Sequence, residues 1–171
     1  IGRLSNQKNF ELLLNFFQIE SSKDPDLLLV IAGDGELKKK FSKFITKNKM
    51  ENKIILLGYQ KNIHNLLKNC LCFILTSNWE DPGFVLIEAA VNNARIISSN
   101  CPSGPKEILK GGKGGLLFDS GNLLSLQESY KKFKRLNKSQ IHLQKVSLKK
   151  VAVDYTIFRH YKKLNSFFNE N

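Results

Sequence analysis

Residues 27–45 read LLLVIAGDGELKKKFSKFI, and the order of their parts decides the fold. Leu27 to Ala32 form an apolar run without a polar break, as expected of a strand buried on both faces. Gly33-Asp34-Gly35-Glu36 follows as a turn, after which Leu37, Phe41, Phe44 and Ile45 fall on one face at helical spacing. Strand, glycine turn and helix make the repeating unit of a parallel sheet, whose neighbouring strands need a crossover between them.

The same rhythm extends in both directions. Residues 54–57 (IILL), 71–76 (LCFILT), 94–98 (ARIIS) and 115–118 (GLLF) predict further strands. Helical faces are marked by Phe10, Leu13, Leu14 and Phe17, and again by Ile63, Leu66, Leu67 and Cys70. Further helices are expected from Gly83 through Glu88 to Val91, after Pro105, and over Leu123, Leu126, Tyr130 and Phe133. The fold class is therefore α/β: a Rossmann-like, open, doubly wound parallel sheet flanked by helices. Ile1-Gly2-Arg3-Leu4 reads as the end of a strand entering a glycine turn, so the chain is expected to be a fragment. Residues 137–147 are polar without a clear period and predict a connection. Ile157, Tyr161, Leu164 and Phe168 then recur at helical spacing, an appended helix whose aromatics pack either on this domain or on a neighbouring one.

With 171 residues, 42% of them hydrophobic and 25% charged, the chain suits one ordinary globular domain. Its 27 basic and 15 acidic residues give a net charge of +12, which directs attention to anionic partners. Three cysteines, Cys70, Cys72 and Cys101, predict reduced thiols and a cytoplasmic setting rather than a disulfide framework. No apolar run approaches the roughly 18 to 20 residues of a membrane span, and the opening residues lack the order of a signal peptide.

In an open parallel sheet, ligands gather at the carboxyl ends of the strands. Gly2-Arg3 with Lys8 offers a diphosphate clamp at a helix start, or else a solvated basic turn. Gly33 and Gly35 let backbone approach a ligand closely. A dinucleotide fingerprint is absent: its third glycine falls on Lys38, and Gly58-Tyr59-Gln60 stands where a ribose-binding acid belongs, which disfavours an NAD dehydrogenase. Residues 76–89, TSNWEDPGFVLIEA, deliver Glu80 from a strand end, a tight turn at Gly83 and a fresh helix N-terminus. Glu88 is expected amid Phe84, Ile87 and Val91, where an ionised carboxylate needs donors. A sugar or ribose hydroxyl pair supplies them, or a core backbone group does. His64, Cys70 and Cys72 lack the spacing of a zinc site, and Cys101 has no histidine near it in sequence to act as base. The runs at Lys38–Lys40, Lys131-Lys132 and Lys149-Lys150 read as solvated helix faces, with attraction to an anionic membrane as the other option. Nucleic acid is not expected as a partner, because the phenylalanines occupy core periods instead of alternating with the lysines.

Taken together, Gly2-Arg3-Leu4, Lys8-Asn9, Ala32-Gly33-Asp34-Gly35 and the glutamates Glu80 and Glu88, separated by seven residues, resemble the C-terminal donor-binding domain of retaining GT-B glycosyltransferases of family 4, the group 1 type. The similarity continues through residues 98–109, SSNCPSGPKEIL, and covers about residues 1–136. The resemblance implies a nucleotide-sugar-binding domain over residues 1–136, a connection and helix over 137–171, and an N-terminal acceptor domain that this chain lacks. It implies that Arg3 and Lys8 hold the leaving diphosphate, Glu80 the sugar hydroxyls and Glu88 the ribose. Backbone at Gly2, Gly33, Gly35, Gly83, Phe84 and Val85 would line the donor, with Gly58 beside the base. The family's aromatic-glycine pair is Pro82-Gly83 here, and the proline removes one N–H from that turn. The implied reaction moves a hexose from a nucleotide diphosphate sugar, UDP rather than GDP, with retention and without metal or cofactor. The acceptor would be a glycan or lipid-linked molecule of surface polysaccharide synthesis, handled in the cytoplasm or at the inner face of its membrane, and this fragment alone would be inactive. The rival is a non-catalytic basic nucleotide- or nucleic-acid-binding Rossmann module, against which the two glutamates argue by repelling a phosphate backbone.

Overall fold

The computed structural model describes residues 1–169. The five apolar runs form β1 (Leu29–Ala32), β2 (Ile54–Gly58), β3 (Phe73–Leu75), β4 (Ile96–Ser99) and β5 (Leu116–Phe118). Every paired neighbour is parallel, as the apolar runs predict, but burial on both faces is not met throughout, since Val30, Ile55 and Leu57 of β1 and β2 are exposed. They are joined by α1 (Phe10–Lys23), α2 (Lys38–Lys47), α3 (His64–Asn69), α4 (Phe84–Val91) and α5 (Pro105–Ile108), and followed by α6 (Leu123–Arg135), α7 (Lys138–Asp154) and α8 (Ile157–Asn169). The sheet is divided: β2 and β1 make one piece, β3, β4 and β5 the other. Residues 1–4 continue beside the end of β1, with the Gly2 N–H donating to Ala32 O and the Leu4 N–H to Asp34 O, each at 2.9 Å.

Helices cover both faces because alternate strand residues point to opposite sides. Ile97 joins Phe10, Phe17, Phe41 and Phe133 in a core under α1, α2 and α6. Its neighbour Ile96 joins Leu67, Leu86, Ile108 and Leu148 in a second core under α3, α4, α5 and α7. Asn9 starts α1 by accepting from the Leu12 N–H, and Asn122 starts α6 by accepting from the Ser125 N–H.

The C-terminal segment departs from expectation in its first part. Residues 137–147 are not an irregular connection but the first turns of α7, opened by a reciprocal capping box between Asn137 and Gln140. They show no apolar period because α7 reaches the core only farther on, through Leu148, Val151 and Ala152. The appended helix α8 does not pack its aromatics on this domain: Ile157, Phe158, Tyr161, Leu164 and Phe168 are all exposed. Residues 170 and 171 of that segment lie outside the described residues. Among the described residues, no helix is long and apolar enough to cross a membrane.

Candidate functional site

The loops following the strands meet along one edge of the sheet, and Lys8 and Glu80 form an ion pair there. A single turn of 3-10 helix, Asn6–Lys8, brings the Lys8 ammonium to within 2.6 and 2.9 Å of the two Glu80 oxygens. Ser77 donates its hydroxyl to the same carboxylate, and both acidic and basic side chains are largely withdrawn from water. A charge-assisted pair of this kind is held firmly, because either partner alone would face the cost of burial. Two of the three ammonium N–H groups serve Glu80, which leaves one for an incoming oxygen.

The acidic loop is tied to its neighbours through backbone. The Asn78 N–H donates to Gln7 O at 2.8 Å and the Glu80 N–H to Pro102 O at 2.8 Å. Thr76 donates its hydroxyl to Lys8 O, Asn9 donates to Asn78 Oδ1, and Gln7 donates to Trp79 O. Behind this, Ser99 and Ser120 both donate to Ser77 O. These serines and amides were not singled out from the sequence. The available signal was the hydroxyl run at strand ends, Thr76-Ser77 and Ser98-Ser99, which is buried throughout. Cys101 is buried beside them, its thiol pushed up first by that burial and held in a hydrogen bond with Ser99.

The glycines act differently from the reading that they admit a ligand. A Cβ on Gly33 would lie 1.8 Å from Gly2 O, and one on Gly35 would lie 2.6 Å from Leu4 O. Those glycines let two segments of the chain approach each other. Gly104, at φ +94°, does the same for the loop after β4, where a Cβ would meet Pro82 O at 1.9 Å. Gly58 has φ +69° and open space around it, next to the exposed Tyr59. Gly2, Arg3, Gly33, Asp34, Tyr59 and Gln60 line a cleft of about 320 Å³. The Asp34 carboxyl is held below its ordinary range by Lys38, which donates to it, and by the Gly35 N–H.

Arg3 and Lys8 have separate partners. Arg3 projects into solvent and meets Glu36 at 3.4 Å. Gly83, at φ +89°, opens α4 without a capping side chain, so its first turn presents N–H groups beside Glu80. Phe84, on that turn, is exposed and meets the Tyr155 ring edge-on, and Val85 is half-buried. Glu88 corrects the expectation of an apolar surround. It is exposed, because Phe84 and Val91, one turn to either side on the same face, are exposed as well. Among the described residues, no three His, Cys, Asp or Glu side chains gather as a metal cage.

A parallel sheet covered by helices on both faces, with its polar loops knit together at the carboxyl edge, makes this one Rossmann-like unit of the kind found in GT-B enzymes. A family model for glycosyl transferases, group 1, matches residues 1–149, and the chain belongs to that family. An uncharacterized glycosyltransferase of Methanocaldococcus jannaschii is 43% identical over 109 residues, 64% of this chain and 27% of its own length. The N-acetylgalactosamine-N,N'-diacetylbacillosaminyl-diphospho-undecaprenol 4-alpha-N-acetylgalactosaminyltransferase of Campylobacter jejuni is 30% identical over 131 residues, 77% of this chain and 35% of its own. The chain thus spans about a quarter to a third of the length of these relatives. Its fold is also that of S. aureus TarM, solved with fondaparinux, alpha-GlcNAc-glycerol and UDP, at a TM-score of 0.85 and 21% identity over 98% of this chain and 34% of that one.

Proposed function

We propose that this chain is the donor-binding half of a retaining hexosyltransferase that takes its sugar from a UDP-sugar. The observation that carries the reading is the Lys8–Glu80 pair at the open N-terminus of α4. A sugar diphosphate needs a cation and N–H groups for its phosphates and a carboxylate for its hydroxyls, and these lie side by side there. Lys8, with its remaining N–H, and Arg3, once it turns from Glu36, bind the leaving diphosphate. Glu80 accepts from sugar hydroxyls, Phe84 and Val85 donate backbone N–H groups, and Glu88 accepts from the ribose. The cleft beside Gly58 takes the base. These groups stabilise the leaving diphosphate without requiring a metal ion or cofactor.

The acceptor belongs on a second domain, and the exposed face of α8 is the surface on which that domain closes. The name of the C. jejuni relative, with its undecaprenol carrier, supports a lipid-linked or glycan acceptor of surface polysaccharide synthesis. The net charge of +12 supports work in the cytoplasm at the anionic inner face of its membrane. Calorimetric titration with UDP and GDP, set against tripolyphosphate at equal ionic strength, tests the donor site. UDP is expected to bind and tripolyphosphate to compete poorly. Glu88→Ala should weaken UDP by about 1.5–3 kcal/mol through the lost charged hydrogen bond. Failure of both nucleotides to bind, with single-stranded nucleic acid binding instead, overturns the reading.

A further inference from the structure

The first turn of α4, the end of α5 and the end of α7 enclose a cavity of about 690 Å³, lined by Phe84, Glu107, Lys110, Asp154, Tyr155 and Ile157. Its apolar wall is a corner, in which the Phe84 and Tyr155 rings stand edge-on at 84° with centroids 6.2 Å apart. Phe84 is 59% exposed and Ile157 78%, so the chain's own side chains leave this wall open to an incoming group. The polar groups are two carboxylates and one ammonium. Burial first, and then the charges of Glu107 and Asp154, push the Tyr155 hydroxyl above its ordinary range, so both carboxylates act on the same side of the corner. Neither forms a salt bridge among the described residues, although Lys110 lines the same cavity.

An occupant has to suit both walls. An anion would meet two carboxylates against one ammonium, and a purely apolar group would strip water from all three without replacing it. A pyranose ring suits both: its C–H groups face the negative π-surfaces of the aromatic corner, while its rim hydroxyls donate to the carboxylates and accept from the ammonium. The size of the cavity is also that of a small-molecule site. We propose that this cavity is a subsite for an uncharged hexopyranose ring, namely the acceptor sugar that receives the transferred one. Its place in the fold supplies the argument for that role, which rests on reading the open turn of α4 as the donor site. The Phe84 backbone belongs to that turn, beside Glu80, while the Phe84 ring lines the cavity. Rings held on the two sides of one residue are neighbours, and transfer between them requires that proximity. This chain then contributes Glu107, Asp154 and Tyr155 to an acceptor whose remainder lies on the second domain.

Saturation-transfer NMR on the full-length protein, saturated with UDP, tests the cavity with the methyl α-glycosides of glucose, galactose, N-acetylglucosamine and N-acetylgalactosamine as probes. At least one should bind, and Glu107→Ala should weaken it about tenfold through the lost charged hydrogen bond. Tyr155→Ala should weaken it by about as much through the lost ring. Glu107 is exposed, so its variant tests the site even where the Tyr155 change disturbs the end of α7. Both variants should bind UDP as the wild type does, since neither residue lies on the donor side. UDP binding without any hexoside binding, or a hexoside held equally by wild type and Glu107→Ala, overturns the subsite and leaves the donor reading standing. A hexoside lost on Glu80→Ala but kept on Glu107→Ala occupies the donor sugar's place and overturns it too. Failure of UDP itself to bind overturns the donor reading, and the acceptor role with it.

Discussion

Lys8 and Glu80 are 72 positions apart, yet the ion pair they form is the best-shielded one at the strand ends. Removing the lysine leaves a carboxylate with Ser77 as its remaining side-chain donor in a site withdrawn from water. Lys8→Ala is expected to cost on the order of 3 kcal/mol, read as a lower urea midpoint, and Lys8→Ala with Glu80→Ala less than the sum of the two single changes. A pair that contributes nothing would give additive values. Gly104→Ala tests the neighbouring loop: its Cβ would strike Pro82 O at 1.9 Å from a left-handed backbone. More than about 1 kcal/mol of destabilisation is expected in the same assay. At this scale the sequence pointed to Arg3, Lys8, Glu80, Gly83 and Glu88, but it did not disclose that Lys8 is already engaged or that Glu88 is solvated. Both facts depend on which residues lie across the sheet edge.

Helices were legible where their apolar side chains repeat and obscure where they do not. The start of α7 rests on a capping box instead of a stripe, and Asn137→Ala should lower stability by about 1 kcal/mol, measured by thermal or urea unfolding. The pairing of α1 with α6 carries its own pH signature. Burial works to raise the pKa of Glu20, but Lys23 and Lys134 outweigh it and hold the carboxyl below its ordinary value of 4.5. A carboxyl lowered in the folded state stabilises fully above its unfolded value, and that contribution fades as pH falls through the folded one. Wild type should therefore exceed Glu20→Gln in unfolding midpoint at neutral pH, with the gap closing in acid below 4.5.

For the whole molecule, the two cores make the helices on either face interdependent. Leu148 of α7 is buried against Gly114, far along the chain from the strands it helps to cover. Leu148→Ala is expected to cost about 2–5 kcal/mol and to lower cooperativity in the second core, seen as faster amide exchange in α4. The α/β rhythm and parallel pairing were evident from five apolar runs separated by helical periods. The division of the sheet was not, because a run of apolar residues records that a strand is buried without recording which strand lies beside it.

The sequence by itself determined the alternation of strand and helix, the glycine turns at strand ends and the family motifs from Gly2 to Glu88, since these depend on local spacing and side-chain chemistry. Tertiary structure alone decided that Gly33 and Gly35 serve contacts of chain with chain, that α7 belongs to the core and that α8 presents its aromatics outward. Those outcomes follow from close packing between segments distant in sequence, and no local period carries that information.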